Sequence, residues 1–325
     1  MAKISIYLNA KASGTDRIVW ENKLKEYLFR HKLIFHTPPS IDGLKKEVAC
    51  DIKEGTEYIF SVGGDGTANV LIQELAGTPV RLLIIPTGTA NDLAGELGIS
   101  RNIKKIITMF QNRQIEPIDL ININGKYMIT NGGIGLASDV ATSINTLRSK
   151  FPFFRDIMRY TGDQIYSMIL GFKITKWNFP HYNIKIESSH LEKKIIKVKT
   201  PMLFINNQPT LAGKFNLAPA TCNQDGKFNV TIFTHQTRKS LIQAILSIKK
   251  GNFPINDPDL IFFETDNVKL TNLDKEQLMF FGDGEQLVTN KTFNITINPN
   301  FIHCFCFKSG NIQEHSYGLD MIEAF

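Results

Sequence analysis

The sequence predicts two domains in one chain: an N-terminal three-layer α/β domain on a parallel sheet, then a C-terminal antiparallel β-sandwich. Three observations lead there. Over the first 120 positions, apolar strand-like runs alternate with helix-like segments every dozen or so residues, the pattern of βαβ units. Two of those runs, YIFSV (58–62) and RLLIIP (81–86), are continuously apolar, as strands covered on both faces are. After about residue 119 the period shortens to two, the mark of strands with one buried face. The boundaries follow as 1–120 and 121–304, with the tail at about 305–325 expected to pack back on the first domain.

In order along the chain, KISIYLNA (3–10) reads as a first strand and KASG as the turn after it. Residues 16–32 place Ile18, Trp20, Leu24, Tyr27 and Leu28 near helical spacing. LIFHT (33–37) is a strand, 40–52 a helix, and YIFSV runs straight into GGDGT. The next helix spans 68–77, ending at Gly77 as a C-cap. RLLIIP stops at Pro86, and helices follow at 91–99 and 103–112. IDLININGKYMITNGGIG (118–135) is a hairpin segment turning at Asn124-Gly125. An aromatic helix is expected over 151–172, and a lysine-rich helix over 237–251. Alternating strands fill the remainder, from YNIKIES (182–188) to FNITINPN (293–300).

The composition narrows the function classes. A 42% hydrophobic and 21% charged chain of 325 residues is ordinary for two folded cores. A net charge of +6 suits an anionic partner, such as a nucleotide or an acidic membrane surface, and equally suits mere solubility. Cys50, Cys222, Cys304 and Cys306 form no CxxC pair, which argues against zinc. With no signal peptide, a reducing cytoplasm is expected. No run of roughly 18 uncharged apolar residues exists to span a membrane. The 151–172 segment carries Arg155, Asp156, Arg159 and Asp163, so it is suited to touching a membrane rather than crossing it.

Chemistry concentrates at two strand ends. GGDGT (63–67) matches neither a Walker A loop nor GxGxxG. A strand–glycine turn–helix unit still offers amides and a positive helix end to an anion, though a plain βα turn explains it as well. PTGTANDLA (86–94) repeats the arrangement after the next strand. Asp92 alone reads as an N-terminal helix charge. Together, Asp65 and Asp92 suit one cleft and a shared divalent cation, with Asp119 joining from the domain junction.

GGDGTxN, then PxGTxNDxA, then NGGIG about forty residues later, resembles the diacylglycerol-kinase-type catalytic domain. That family includes bacterial soluble lipid kinases and, more distantly, ceramide and sphingosine kinases. The likeness runs nearly end to end, through 202–233 and the DGE of GDGEQL (282–287). It implies ATP bound between the two domains, lined by Asn9, the KASG turn (Lys11, Ser13, Gly14), Thr37, Gly63, Gly64, Asp65, Gly66, Thr67, Asn69, Gly88, Thr89 and Asn91. It implies an Mg²⁺ network at Asp65, Asp92 and Asp119. It implies a structural Mg²⁺ on the carbonyls of Cys222 and Lys227 and the side chain of Asp225. Glu285 matches the family's general base, with Asp283 beside it. DGE by itself is also a good hairpin turn.

The activity so implied is transfer of the ATP γ-phosphoryl group to a lipid hydroxyl, that of diacylglycerol first. The partner is a lipid at a membrane surface, not a nucleic acid, and the localisation is cytoplasmic with transient peripheral attachment. A homodimer is left open. NAD kinase shares GGDGT and is the alternative enzyme. A nucleotide-binding homologue without turnover is the other alternative, raised by Val70 where the family carries Glu. The run before LAP, here TLAGKFN (210–216), is also poorer in glycine than the family's. In the 151–172 helix the aromatics read as core. As an alternative, they form an acyl-chain entrance with Arg155 and Arg159 at headgroups.

Overall fold

The computed structural model describes residues 1–9, 16–88, 91–151, 164–176, 179–211 and 215–306. Its first half alternates as the sequence does. β1 (Lys3–Leu8), α1 (Arg17–Tyr27), β2 (Lys32–His36), α2 (Ile41–Lys53), β3 (Tyr58–Gly63), α3 (Asp65–Leu75) and β4 (Arg81–Pro86) give four parallel strands in the order β2-β1-β3-β4. Side-chain caps start the helices: Asp16 accepts from the Val19 amide and Ser40 from the Gly43 amide. α4 (Asp92–Glu96) and α5 (Ile103–Gln111) follow, and α5 buries Ile106, Ile107, Met109 and Phe110. One boundary differs in a way that matters. α3 begins at Asp65, not at 68, so the DGT of GGDGT is the first turn of a helix.

β5 (Ile115–Ile123) and β6 (Lys126–Met128) form the expected hairpin, with φ of 50° at Asn124 and 86° at Gly125. β7 (Asn131–Gly135) runs directly into α6 (Leu136–Lys150), a helix the sequence reading did not foresee. The expected aromatic helix meets the structure only in α7 (Gln164–Lys176); residues 152–163, with Arg155 and Arg159, lie outside the described residues. Then come β8 (Tyr182–Glu187), β9 (Ile195–Thr200), β10 (Met202–Asn206), β11 (Thr210–Leu211), β12 (Phe215–Asn216), β13 (Phe228–Phe233), α8 (Arg238–Lys249), β14 (Leu260–Thr265), β15 (Asn267–Asn272), β16 (Leu278–Gly282), β17 (Glu285–Asn290) and β18 (Thr292–Phe305).

β18 joins the two halves. It pairs antiparallel with β15 and β5, then parallel with β4 through His303 and Cys304. The parallel sheet therefore continues as β18-β15-β8-β9. A second sheet, β14-β13-β10-β7-β16-β17, packs against that continuation. Ile121, Phe293 and Ile295 from one sheet meet Ile205, Val230 and Phe280 from the other, which makes the sandwich. β10 and β13 are buried along their whole length. Their outer face is covered too: Met202, Phe204 and Phe233 pack with Leu136, Ile174 and Leu241 of the three helices. The end of β18 enters the first core, where Ile302, Cys304 and Phe305 are buried. Residues 307–325 of the expected returning tail lie outside the described residues.

Candidate active site

The two glycine motifs fold into one unit. Gly64 caps α3 without a side chain and its carbonyl takes the Thr67 amide at 3.1 Å, so the Asp65 and Gly66 amides and the positive helix end are what α3 offers an external acceptor. The second loop lies against the first. A Cβ on Gly88 would sit 2.6 Å from the Gly64 Cα and 2.9 Å from Asn91 Oδ1, so only glycine fits. The Thr87 and Gly88 amides both donate to the Gly63 carbonyl, at 2.9 and 3.2 Å. Asn91, left-handed at φ 56°, closes its loop by exchanging hydrogen bonds with Gly88 at 3.0 and 2.6 Å. Asn9 Nδ2 donates to Thr67 Oγ1 at 2.8 Å, which ties the end of β1 to the same helix.

Asp65 has a local task here. Its Oδ1 accepts from the Leu93 amide at 3.2 Å, binding the head of α3 to α4. Asp92 is the first residue of α4; its carboxylate lies outside what the structure describes, as do Lys11, Ser13, Gly14 and Thr89. Thr37 stands just past β2, where its hydroxyl accepts from Arg17 at 3.1 Å.

DGE comes from the sandwich. Asp283 (φ 53°) and Gly284 (φ 78°) form the two-residue turn between β16 and β17. The Asp283 carboxylate takes four donors. Oδ1 accepts from the Thr130 amide at 2.8 Å and its hydroxyl at 2.6 Å; Oδ2 accepts from the Ile129 amide at 3.1 Å and Asn69 Nδ2 at 3.3 Å. The residue keeps partial exposure while its carboxylate is desolvated. Burial pushes that carboxyl upward; the hydrogen bonds oppose it and Asp65 adds to it. Thus Asp283 holds the turn in place and anchors it to α3 through Asn69. Glu285 is exposed, and its Oε1 lies 3.9 Å from where a Gly66 Cβ would be. A carboxylate of the second domain thereby stands over the first turn of α3.

Behind this polar edge lies an apolar cavity of about 140 Å³. Ala137, Ala141, Phe204, Phe233, Ile248 and Phe281 line it, between the outer face of the six-stranded sheet and the helices. Asp65, Asn69, Asn145, Asp283 and Glu285 stand on its polar side. The sequence reading missed this cavity. The available signal was LASDVATSIN, where Ala137, Ala141 and Asn145 recur every four residues.

Asp119 is not among the residues that line this cavity; it lies within β5, where β5 pairs with β18. It is fully buried, and its oxygens accept from the Gly226 and Asn300 amides, both at 2.7 Å. It thus belongs with the 222–227 loop, where Asp225 Oδ1 accepts from the Lys227 amide at 2.9 Å and Cys222 is exposed. Burial first, then Glu264 and Asp119, push the Asp225 carboxyl upward. A carboxylate and backbone carbonyls in one loop are the donor types a hard cation takes. In the cleft, Asp65, Asp283 and Glu285 line one edge without their oxygens closing to within 4.8 Å of one another, so an ion there would draw on Asp65 together with substrate phosphates and water. Val70 is half-buried and packs against the first core as an aliphatic side chain. Of the 210–216 run, residues 212–214 lie outside the described residues.

Comparison with known proteins agrees with this fold. The model of the diacylglycerol kinase catalytic domain matches residues 3–123. The model of the YegS C-terminal NAD kinase β-sandwich-like domain matches 142–306. Diacylglycerol kinase of Bacillus subtilis (strain 168) is 26% identical over 246 residues, 74% of this chain and 75% of that protein. A Staphylococcus haemolyticus protein named as a lipid kinase is 27% identical over 190 residues, 56% of this chain; the match spans 55% of its length. Two Bacillus anthracis structures described as diacylglycerol kinases share the fold, with TM-scores of 0.72 and 0.68 at 18% and 16% identity. Each match covers 94% of this chain and 97% of the other.

Proposed function

This chain belongs to the diacylglycerol kinase catalytic domain family and is a lipid kinase, and we propose that it transfers the γ-phosphoryl group of ATP to the free hydroxyl of diacylglycerol, giving phosphatidic acid. The observation that carries the reading is the position of Glu285. It stands over the first turn of α3 and beside an apolar cavity. A lipid with its chains in that cavity brings its headgroup to the same edge.

Glu285 accepts the hydroxyl proton as the new oxygen–phosphorus bond forms and the bond to the ADP leaving group breaks. The amides heading α3 and the second loop hold phosphates, and Asp283 fixes the turn that aims Glu285. Asp65 and Asp92 are the residues that would hold Mg²⁺ in the cleft, and Asp225 with the Cys222 and Lys227 carbonyls would hold a structural one. When bound, the cleft ion supplies charge neutralisation on the phosphates, which answers how a carboxylate sits in a phosphate loop.

Peripheral attachment to membrane fits the helical layer over the cavity. Met168 and Phe172 on α7 are 65% and 62% exposed, and Leu246 on α8 is 50% exposed. α7 and α8 carry basic residues and no acidic one. Among the described residues, no helix is long and apolar enough to cross a membrane. The test is purified protein with radiolabelled ATP, a panel of lipids, and Mg²⁺ or EDTA. Label on diacylglycerol that EDTA abolishes is the expected result. Label on NAD alone, or on no acceptor, would overturn the proposal.

A further inference from the structure

Ala137, Ala141 and Asn145 recur every four residues on α6, so they form one row, and all three line the cavity. Among the described α6 residues that line it, Asn145 alone is polar. Its Nδ2 donates to the Gly284 carbonyl at 2.9 Å and lies 3.5 Å from Glu285 Oε2. A carboxamide nitrogen has two hydrogens, so both contacts can be made at once.

The plain alternative is that Asn145 only steadies the turn. The turn has other support: two positive φ values, a ladder to β7, and the four donors on Asp283. Glu285 is exposed at the start of β17, the last strand of its sheet. An exposed glutamate on a sheet edge has several rotamers open to it, and a donor at its carboxylate selects among them. We infer that Asn145 is a positioning residue for Glu285, holding the carboxylate at the head of α3. The inference rests on reading Glu285 as the base. It also means that one helix face carries both part of the acyl cavity wall and the anchor of that base.

The test uses the full chain as wild type, Asn145→Ala and Asn145→Asp. It combines steady-state kinetics with short-chain diacylglycerol in mixed micelles and carboxyl-carbon NMR titration of Glu285, assigned with Glu285→Gln. Asn145→Ala should lower kcat about ten-fold, with both KM values within about two-fold and Tm little changed. Asn145→Asp places a like charge beside Glu285, so the Glu285 titration should move up by about one pH unit, and the acidic limb of the rate profile with it. An unmoved Glu285 titration in Asn145→Asp overturns the inference, as does wild-type kcat in Asn145→Ala or a joint collapse of kcat and Tm. If the wild type phosphorylates no lipid, the substrate reading has failed, and the NMR titration still decides whether Asn145 acts on Glu285.

Discussion

Asp283→Asn separates the aspartate of DGE from the glutamate. The carboxylate takes two donors from Thr130, one from the Ile129 amide and one from Asn69. Asparagine keeps one acceptor oxygen. Its best placement leaves that oxygen on Thr130 and turns the NH₂ toward Ile129 and Asn69. Asn69 can rotate its own amide to accept, but the Ile129 N–H cannot change sign. One amide is then left without an acceptor, costing about 1–3 kcal/mol, while the Thr130 bonds lose their charge assistance. Relief of the buried charge offsets part of this. The pH dependence follows from the direction of the shift. Burial raises the folded-state carboxyl above its unfolded value, so the folded state holds the proton more firmly. This group's contribution is fully present below the unfolded value and is lost as pH rises through the folded one. Urea unfolding across that window should show a shallower slope in Asp283→Asn than in wild type, because Asp139 and Asp225, also raised by burial, keep their share. Activity should fall with the turn displaced. Unchanged stability near pH 7, together with wild-type kcat, would refute the assignment of Asp283 as the turn's anchor.

Two further substitutions probe the loops and the cavity. Gly88→Ala puts a Cβ 2.6 Å from the Gly64 Cα, closer than real Cβ contacts come, so the two glycine loops must part. A displacement approaching 1 Å should cut kcat/KM about 100-fold, measured by coupled ADP release. Ala141→Phe fills the cavity. It should lower kcat/KM for long-chain relative to short-chain diacylglycerol by about ten-fold, read from paired assays in one micelle system.

The α/β half was legible because its signals are local. YIFSV and RLLIIP are buried on both faces, and Asn124-Gly125 and Asp283-Gly284 adopt the positive φ pairs that such turns require. α6 was not legible. Val140, Thr142, Ile144 and Thr146 are β-branched, and the face that lines the cavity is built partly of small alanines, so no strong apolar stripe marks it. α7 was foreseen in part, as the end of the expected 151–172 helix; its bounds were blurred because Leu170 lines the cavity while Met168 and Phe172 are exposed, which leaves no single apolar face. Joining of the two halves through β18 is a pairing more than 200 residues apart, His303 with Arg81, which no local period reports. At the site, motif spacing brought GGDGT and TGTAND together, and the structure packs them glycine on glycine. The bonds of Asp119 to the Gly226 and Asn300 amides depend on how β5 and β18 pair, which no local sequence signal reports.

The most direct measurement is single-substitution kinetics at Glu285. Purified wild type and Glu285→Gln are compared for transfer of label from γ-labelled ATP to diacylglycerol in mixed micelles with Mg²⁺, alongside ATP binding by calorimetry. Glutamine keeps the size and removes the proton acceptor. The account predicts lipid phosphorylation by wild type, a loss of about 100- to 10,000-fold in kcat for Glu285→Gln, and retained nucleotide binding. Equal activity of the two proteins, or no transfer to any lipid by wild type, would contradict it.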